Sequence, residues 1–73
     1  MKKHYHLTMI LNGFLTIDTE FTRRADAKHE LLQSAKQFGG SIDERTLENL
    51  MRMDGYIRVP VDRGFIALSS YEK

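Results

Sequence analysis

The chain has 73 residues, 41% of them hydrophobic, and its 11 lysines and arginines against 10 aspartates and glutamates give a net charge of +1. This length predicts one domain, 1–73, with a small core. The near-neutral balance offers no electrostatic basis for non-specific binding to nucleic acids or membranes. The absence of cysteine excludes a disulfide framework and a thiolate metal site.

The N-terminal stretch MKKHYHLTMILNGFLTI has basic residues before apolar ones, as a signal peptide does. His4, His6 and the Asn12–Gly13 pair interrupt it, and no small-residue cleavage site follows. No apolar run approaches the roughly 20 residues of a membrane-spanning helix. We therefore expect a cytoplasmic protein that does not bind membranes.

Residues 5–21 alternate between apolar and polar side chains around Asn12–Gly13, which predicts a β-hairpin. A two-residue loop would set apolar residues opposite polar ones. The sequence therefore favours a three-residue loop, Leu11 to Gly13, with Gly13 in the left-handed conformation of a bulge. This register pairs the apolar residues on one face: Met9 with Leu15, and Leu7 with Ile17.

The segment Thr22–Phe38 has helical periodicity and is followed by two glycines. Thr22 is a candidate N-cap, and Gly39 suits the left-handed position that often ends a helix. The small side chains of this helix let it approach its neighbours closely, as packing on a sheet requires. Its apolar side chains share one narrow stripe: Ala27, Leu31, Ala35 and Phe38.

Ser41 and Glu44 have the spacing of a capping box, which predicts a second helix that runs to about Met53. The apolar arc of this helix is wider than one sheet face needs to cover, and contains Leu47, Leu50 and Met51. Either the helix wedges between the first helix and the sheet, or its Met51 edge meets a partner.

Residues 56–71 predict a second hairpin, with a turn at residues 61–64 in which Gly64 takes the left-handed conformation. Pro60 cannot donate a ladder hydrogen bond, so its strand is expected at a sheet edge. An even loop sorts the strands into an inner set (Ile57, Val59, Ile66, Leu68) and an outer set (Arg58, Pro60, Phe65, Ala67).

The predicted fold is a small α+β domain of order ββααββ, with an antiparallel sheet and two helices packed on one of its faces. A helix Thr22–Phe38 that crosses a four-stranded sheet would favour a binding module. The same helix packed mainly on residues 41–53 would favour a DNA-binding protein. The predicted core comprises Leu7, Met9, Leu15, Ile17, Leu31, Ala35, Phe38, Leu47, Leu50, Ile57, Val59, Ile66 and Leu68.

Enzyme activity is not expected, because the sequence contains neither a nucleophile elbow nor a phosphate-binding loop. His4 and His6 lie two apart on a strand, and the predicted register sets them opposite Glu20 and Asp18. His4, His6 and Asp18 would make a ligand set for a divalent metal. A solvated sheet face with His–carboxylate pairs explains the same pattern. We favour that explanation and expect no cofactor.

The segment TLENLMRMDGYIRV…RGFIALSS resembles the recognition helix and wing of a winged-helix domain. The resemblance implies DNA binding, with side chains of the helix in the major groove and arginines of the hairpin on phosphate. The helix is acidic at Asp43, Glu44 and Glu48, which opposes this function. The candidate DNA-binding residues are Arg45, Asn49, Arg52, Arg58 and Arg63.

The favoured prediction is a small non-enzymatic protein-interaction module, an accessory subunit or an inhibitor of a larger machine. Its partner would be a protein, with a homodimer as one form, bound through an exposed aromatic sheet face or an edge strand. Apolar and aromatic residues on the outer sides of the hairpins are what an interface core uses. The candidate partner-binding residues are Ile10, Phe14, Arg58, Pro60 and Phe65.

Overall fold

The computed structural model describes residues 3–53 and 55–72. The order ββααββ and the α+β class are confirmed. The elements are β1 (Lys3–Leu11), β2 (Phe14–Phe21), α1 (Arg24–Gln37), α2 (Glu44–Met53), β3 (Tyr56–Val61) and β4 (Gly64–Glu72). Within the described ranges, no helix is long and apolar enough to cross a membrane.

The strands form one antiparallel sheet in the order β2-β1-β4-β3. The two hairpins therefore adjoin through β1 and β4, and β2 and β3 are the edges. Helix α1 contacts all four strands and α2, while α2 contacts α1 and β3. Both helices pack into the same buried cluster and so cover one face of the sheet, as predicted.

The core lies between that face and the helices. Most of the predicted core residues are buried or pack against the buried cluster, and Leu7, Leu31, Leu47 and Ile66 have no exposed surface. Leu15 is the exception, because 58% of its surface is exposed. The buried cluster also contains three residues outside the predicted set: Tyr5, Ala27 and Met51.

The predicted register of the first hairpin is wrong. The turn has two residues, Asn12 and Gly13, with φ of 54° and 83°, so that Leu11 pairs with Phe14. A bulge then inserts one residue into β2 between the partners of Met9 and Ile10. The bulge sets apolar side chains opposite each other without a longer loop, and gives the pairs Met9–Ile17, Ile10–Leu15, Leu7–Thr19, Thr8–Asp18 and His6–Glu20.

Two helix caps also differ from the prediction. Helix α1 has Arg23 at its N-cap, without a side-chain cap hydrogen bond, whereas its end before Gly39, with φ of 80°, is as predicted. Helix α2 begins at Glu44, and the Asp43 carboxylate accepts a hydrogen bond of 2.7 Å from the Thr46 amide. Asp43 is therefore the cap, since Glu44 lies in the first helical position and cannot complete a capping box.

The inner and outer sets of the second hairpin are confirmed, but the reason for Gly64 is different. Arg63, not Gly64, has a positive φ, of 69°. A Cβ atom on Gly64 would lie 1.7 Å from the carbonyl oxygen of Ile10. Gly64 is therefore required by the close approach of β4 to β1, where it pairs with Leu11.

This contact predicts that Gly64→Ala lowers the free energy of unfolding by about 3 kcal/mol, because the methyl group forces β1 and β4 apart. Gly13→Ala is the matched control. Its Cβ would meet no described atom within 4 Å, so only the left-handed backbone opposes it, at about 1 kcal/mol. Urea unfolding followed by circular dichroism measures both. If Gly64→Ala destabilised the protein less than Gly13→Ala, the close approach of β4 to β1 at Gly64 would not be what requires glycine there.

Candidate functional site

The sheet face opposite the helices, called the helix-free face below, carries one apolar row that crosses all four strands. Residues paired across antiparallel strands point to the same side of a sheet. Ile10 pairs with both Leu15 and Phe65, and Phe65 pairs in turn with Pro60. The apolar row is therefore Leu15, Ile10, Phe65 and Pro60, in the order of the strands.

The next rows of the same face are polar at their ends. The charged row runs from Asp18 on β2 through Thr8 and Ala67 to Arg58 on β3. The row after it contains Glu20, His6, Ser69 and Tyr56, and His4 pairs with Tyr71 beyond it. The acidic side chains of this face thus lie on one edge strand, and its arginine lies on the other.

Arg58 and Phe65 contact each other on this face. The guanidinium carbon of Arg58 lies 3.8 Å from the centre of the Phe65 ring, in a cation–π arrangement. Beside them is an open depression of about 340 Å³, lined by Arg58, Pro60, Gly64 and Phe65. Ala67 is only 5% exposed, although it faces away from the helices. The depression and its arginine therefore offer a shaped apolar surface with one charged group.

The structure brings together four of the five residues predicted to bind a partner: Ile10, Arg58, Pro60 and Phe65. Phe14 is not among them. It pairs with Leu11, whose side chain packs against the core, and it is 75% exposed on the helix side at the end of the sheet. Leu15 joins the row instead. The Asn-Gly turn is the signal in the sequence that could have identified Leu15. Its two-residue loop pairs Leu11 with Phe14, so Met9 can pair with Ile17 only if β2 contains a bulge.

The candidate metal ligands form separate pairs between β1 and β2. The Nε2 atom of His6 contacts a carboxylate oxygen of Asp18, and His4 Nδ1 lies 4.0 Å from Glu20 Oε1. The His4 ring also stacks on Tyr71, with ring centres 5.6 Å apart. Among residues 3–53 and 55–72, no three His, Cys, Asp or Glu side chains are placed to hold one metal ion.

The candidate DNA-binding residues do not share one surface. Arg45, Asn49 and Arg52 are exposed on α2, whereas Arg58 lies on the opposite side of the sheet and Arg63 in the β3–β4 turn. Because α2 packs on the helix side, the sheet separates Arg58 from the three residues of the helix. A single DNA groove would not reach all five.

The acidic residues of α2 hold it to α1. The ammonium of Lys28 donates to Glu44 at 2.9 Å and to Glu48 at 2.8 Å, and the guanidinium of Arg24 donates to Glu48 at 2.9 Å. The hydrogen bond from Lys28 lowers the pKa of Glu48, and the same bond raises the pKa of Lys28. Arg24 and Lys28, two of the basic side chains of α1, are thus engaged within the chain.

Comparisons with protein-family models, with curated proteins and with solved structures give no match. The helix-free face is the strongest site, because it combines an apolar row, a depression and a stacked arginine.

The ion pairs between the helices predict a loss of stability in acid. Because the pKa of folded Glu48 is lowered from an unfolded value of about 4.3, the pairs stabilise the fold above that pH and lose their effect as pH falls through the folded pKa. Between about pH 6 and about pH 3, the free energy of unfolding should fall less in Glu48→Gln than in the parent chain. Urea unfolding at each pH measures it.

Glu30→Gln is the matched control, because Glu30 lies on α1 and makes no ion pair within the described ranges. It should keep the pH dependence of the parent. If the free energy of unfolding fell equally with pH in both variants, the loss of stability in acid could not be attributed to Glu48.

Proposed function

We propose that the chain is a non-enzymatic protein-interaction module that binds a protein partner through the helix-free face. The observation that supports it is the apolar row across all four strands, bordered by the stacked Arg58. Interface cores are enriched in aromatic residues and arginine, and a phenylalanine beside a depression is a typical anchor. Such a module would serve as an accessory subunit or an inhibitor of a larger machine.

The face is favoured over the edge strands as the binding surface. An exposed edge recruits another strand through its free backbone groups, and proteins block this with bulges, charges and proline. The β2 edge has a bulge and two carboxylates, Asp18 and Glu20. The β3 edge contains Pro60, which has no amide hydrogen to donate. Both edges are therefore poor templates for strand addition.

No catalytic role is part of this proposal. His6 and Asp18 already pair with each other across β1 and β2, and the other carboxylate of that edge, Glu20, lies beside His4. A reducing compartment such as the cytoplasm suits a chain without cysteine.

The second candidate is a DNA-binding regulator that uses α2 and the β3–β4 hairpin. The exposure of Arg45, Asn49 and Arg52 along one helix favours it. Against it, α1 crosses the whole sheet, and Arg58 lies behind the sheet as seen from α2. A net charge of +1 also provides little attraction for a polyanion.

The first test compares two phenylalanines that lie on opposite sides of the sheet. Immobilised parent chain is used to capture proteins from a lysate of the source cell, and quantitative mass spectrometry identifies them. Phe65→Ala should lose a captured protein by about tenfold or more, because it removes an interface anchor. Phe14→Ala, which truncates a more exposed phenylalanine off the face, should retain it.

Equal capture by the parent and Phe65→Ala would remove the helix-free face as the binding surface. An equal loss in Phe14→Ala would assign binding to the helix side instead.

The second test addresses DNA. Fluorescence anisotropy with a random duplex at about 50 mM salt should detect no binding, because phosphate contacts strengthen at low salt and would be visible there. Binding that weakens steeply with added salt and is lost in Arg45→Glu would favour the DNA-binding candidate instead.

A further inference from the structure

The helix-free face is complementary to itself, and we propose that a second copy of this chain covers it. This inference rests on the proposed function and specifies its partner. The two copies would be related by a two-fold axis parallel to the strands and midway between β1 and β4. Half a turn about this axis exchanges β2 with β3 and β1 with β4, and leaves each cross-strand row at its own height.

The charged row supports this arrangement first. Asp18 and Arg58 stand at the two ends of one row, so the rotation brings each Asp18 opposite Arg58 of the second copy. The Asp18 carboxylate contacts His6 of its own chain through one oxygen, and it has acceptor capacity left for the guanidinium. Arg58 has no ion-pair partner within the described residues, and its stacking on Phe65 holds the guanidinium over the face. The dimer would give each Arg58 one carboxylate partner, so that two Asp18–Arg58 pairs form, one at each end of the interface.

The apolar row fits its own copy as well. The rotation places Ile10 opposite Phe65 and Leu15 opposite Pro60. Leu15 projects from the face with 58% of its surface exposed, and the depression lined by Pro60 and Phe65 lies where the second copy's leucine would arrive. Each copy therefore offers one projecting leucine and one depression to receive the leucine of the other.

The remaining positions allow the faces to approach. Thr8 comes opposite Ala67, so no large side chain lies between the two sheets in the middle of this row. Glu20 comes opposite Tyr56, whose phenolic O–H can donate to a carboxylate and whose surface is 54% exposed. Sheets packed face to face lie about 10 Å apart with their strands nearly aligned. A two-fold axis along the strands produces that alignment.

The size of the face sets the expected strength. Four strands of about eight residues make a face roughly 19 Å by 27 Å, so two copies cover about 1,000 Å² together. This area is at the lower limit for specific interfaces. We therefore expect a reversible dimer that dissociates on dilution, at micromolar concentrations.

The first experiment measures self-association of the full chain by sedimentation velocity over a dilution series. The parent should form dimers and no larger species, because a two-fold interface is closed. Leu15→Ala should weaken the dimer by about tenfold, since it empties both depressions. Phe14→Ala, off the face, should leave it unchanged.

The second experiment exchanges the charges. In Asp18→Arg alone, two arginines meet at each end of the interface, and in Arg58→Asp alone, two aspartates meet. Each variant should self-associate about tenfold or more weakly than the parent. An equimolar mixture of the two should regain the parent's association, because each mixed dimer contains two opposite-charge pairs. The double variant should also regain it.

A parent that stays monomeric at millimolar concentration overturns the dimer. If its Phe65→Ala variant still loses a captured protein, the proposed function stands with another protein as partner. A mixture of the two charge variants that remains as weak as each alone overturns the two-fold geometry. Dimers insensitive to both charge changes and to Leu15→Ala would indicate pairing through an edge strand and would also overturn it.

Discussion

The pairing of β1 with β4 is the constraint on which the rest of the structure depends. It joins two hairpins that are separated by both helices, and it brings Gly64 against the backbone of Ile10. Without this pairing each hairpin would be a two-stranded ribbon, which is marginally stable in water. With it, β2 and β3 become the edges, and the outward side chains of both hairpins share one face.

The helices then decide which face remains uncovered. The narrow stripe of α1, with Ala27 and Ala35, lets this helix lie across all four strands. Helix α2 fills the space beside β3 and is held to α1 by Lys28 and Glu48. Both helices lie on one side, so the other side presents only the sheet itself. A polar face would need no partner, but a row of four apolar residues is costly to leave in water.

Periodicity and turn residues were enough to predict the class, the element order and the two faces of the second hairpin. Most of the core was predicted as well, because the periodicity of each element places residues such as Leu31 and Ile66 on its apolar side. The predictions that are wrong concern local features that depend on tertiary packing. The sequence predicts a left-handed turn conformation for Gly64, because its closeness to Ile10 arises only when β1 and β4 pair. Four of the five candidate partner-binding residues lie together on the helix-free face, where Leu15 stands in place of Phe14.

That exchange follows from a conflict between the turn and the core. The Asn12–Gly13 pair favours a two-residue loop, whereas the core needs Ile17 on the same face as Met9. A bulge satisfies both and leaves Leu15 outside. An exposed leucine on an edge strand invites open-ended association, which a protein must prevent. The proposed two-fold contact would prevent it, because each copy's Leu15 and depression would both be used once the pair had formed. The bulge that removes a leucine from the core would thus limit assembly to two chains.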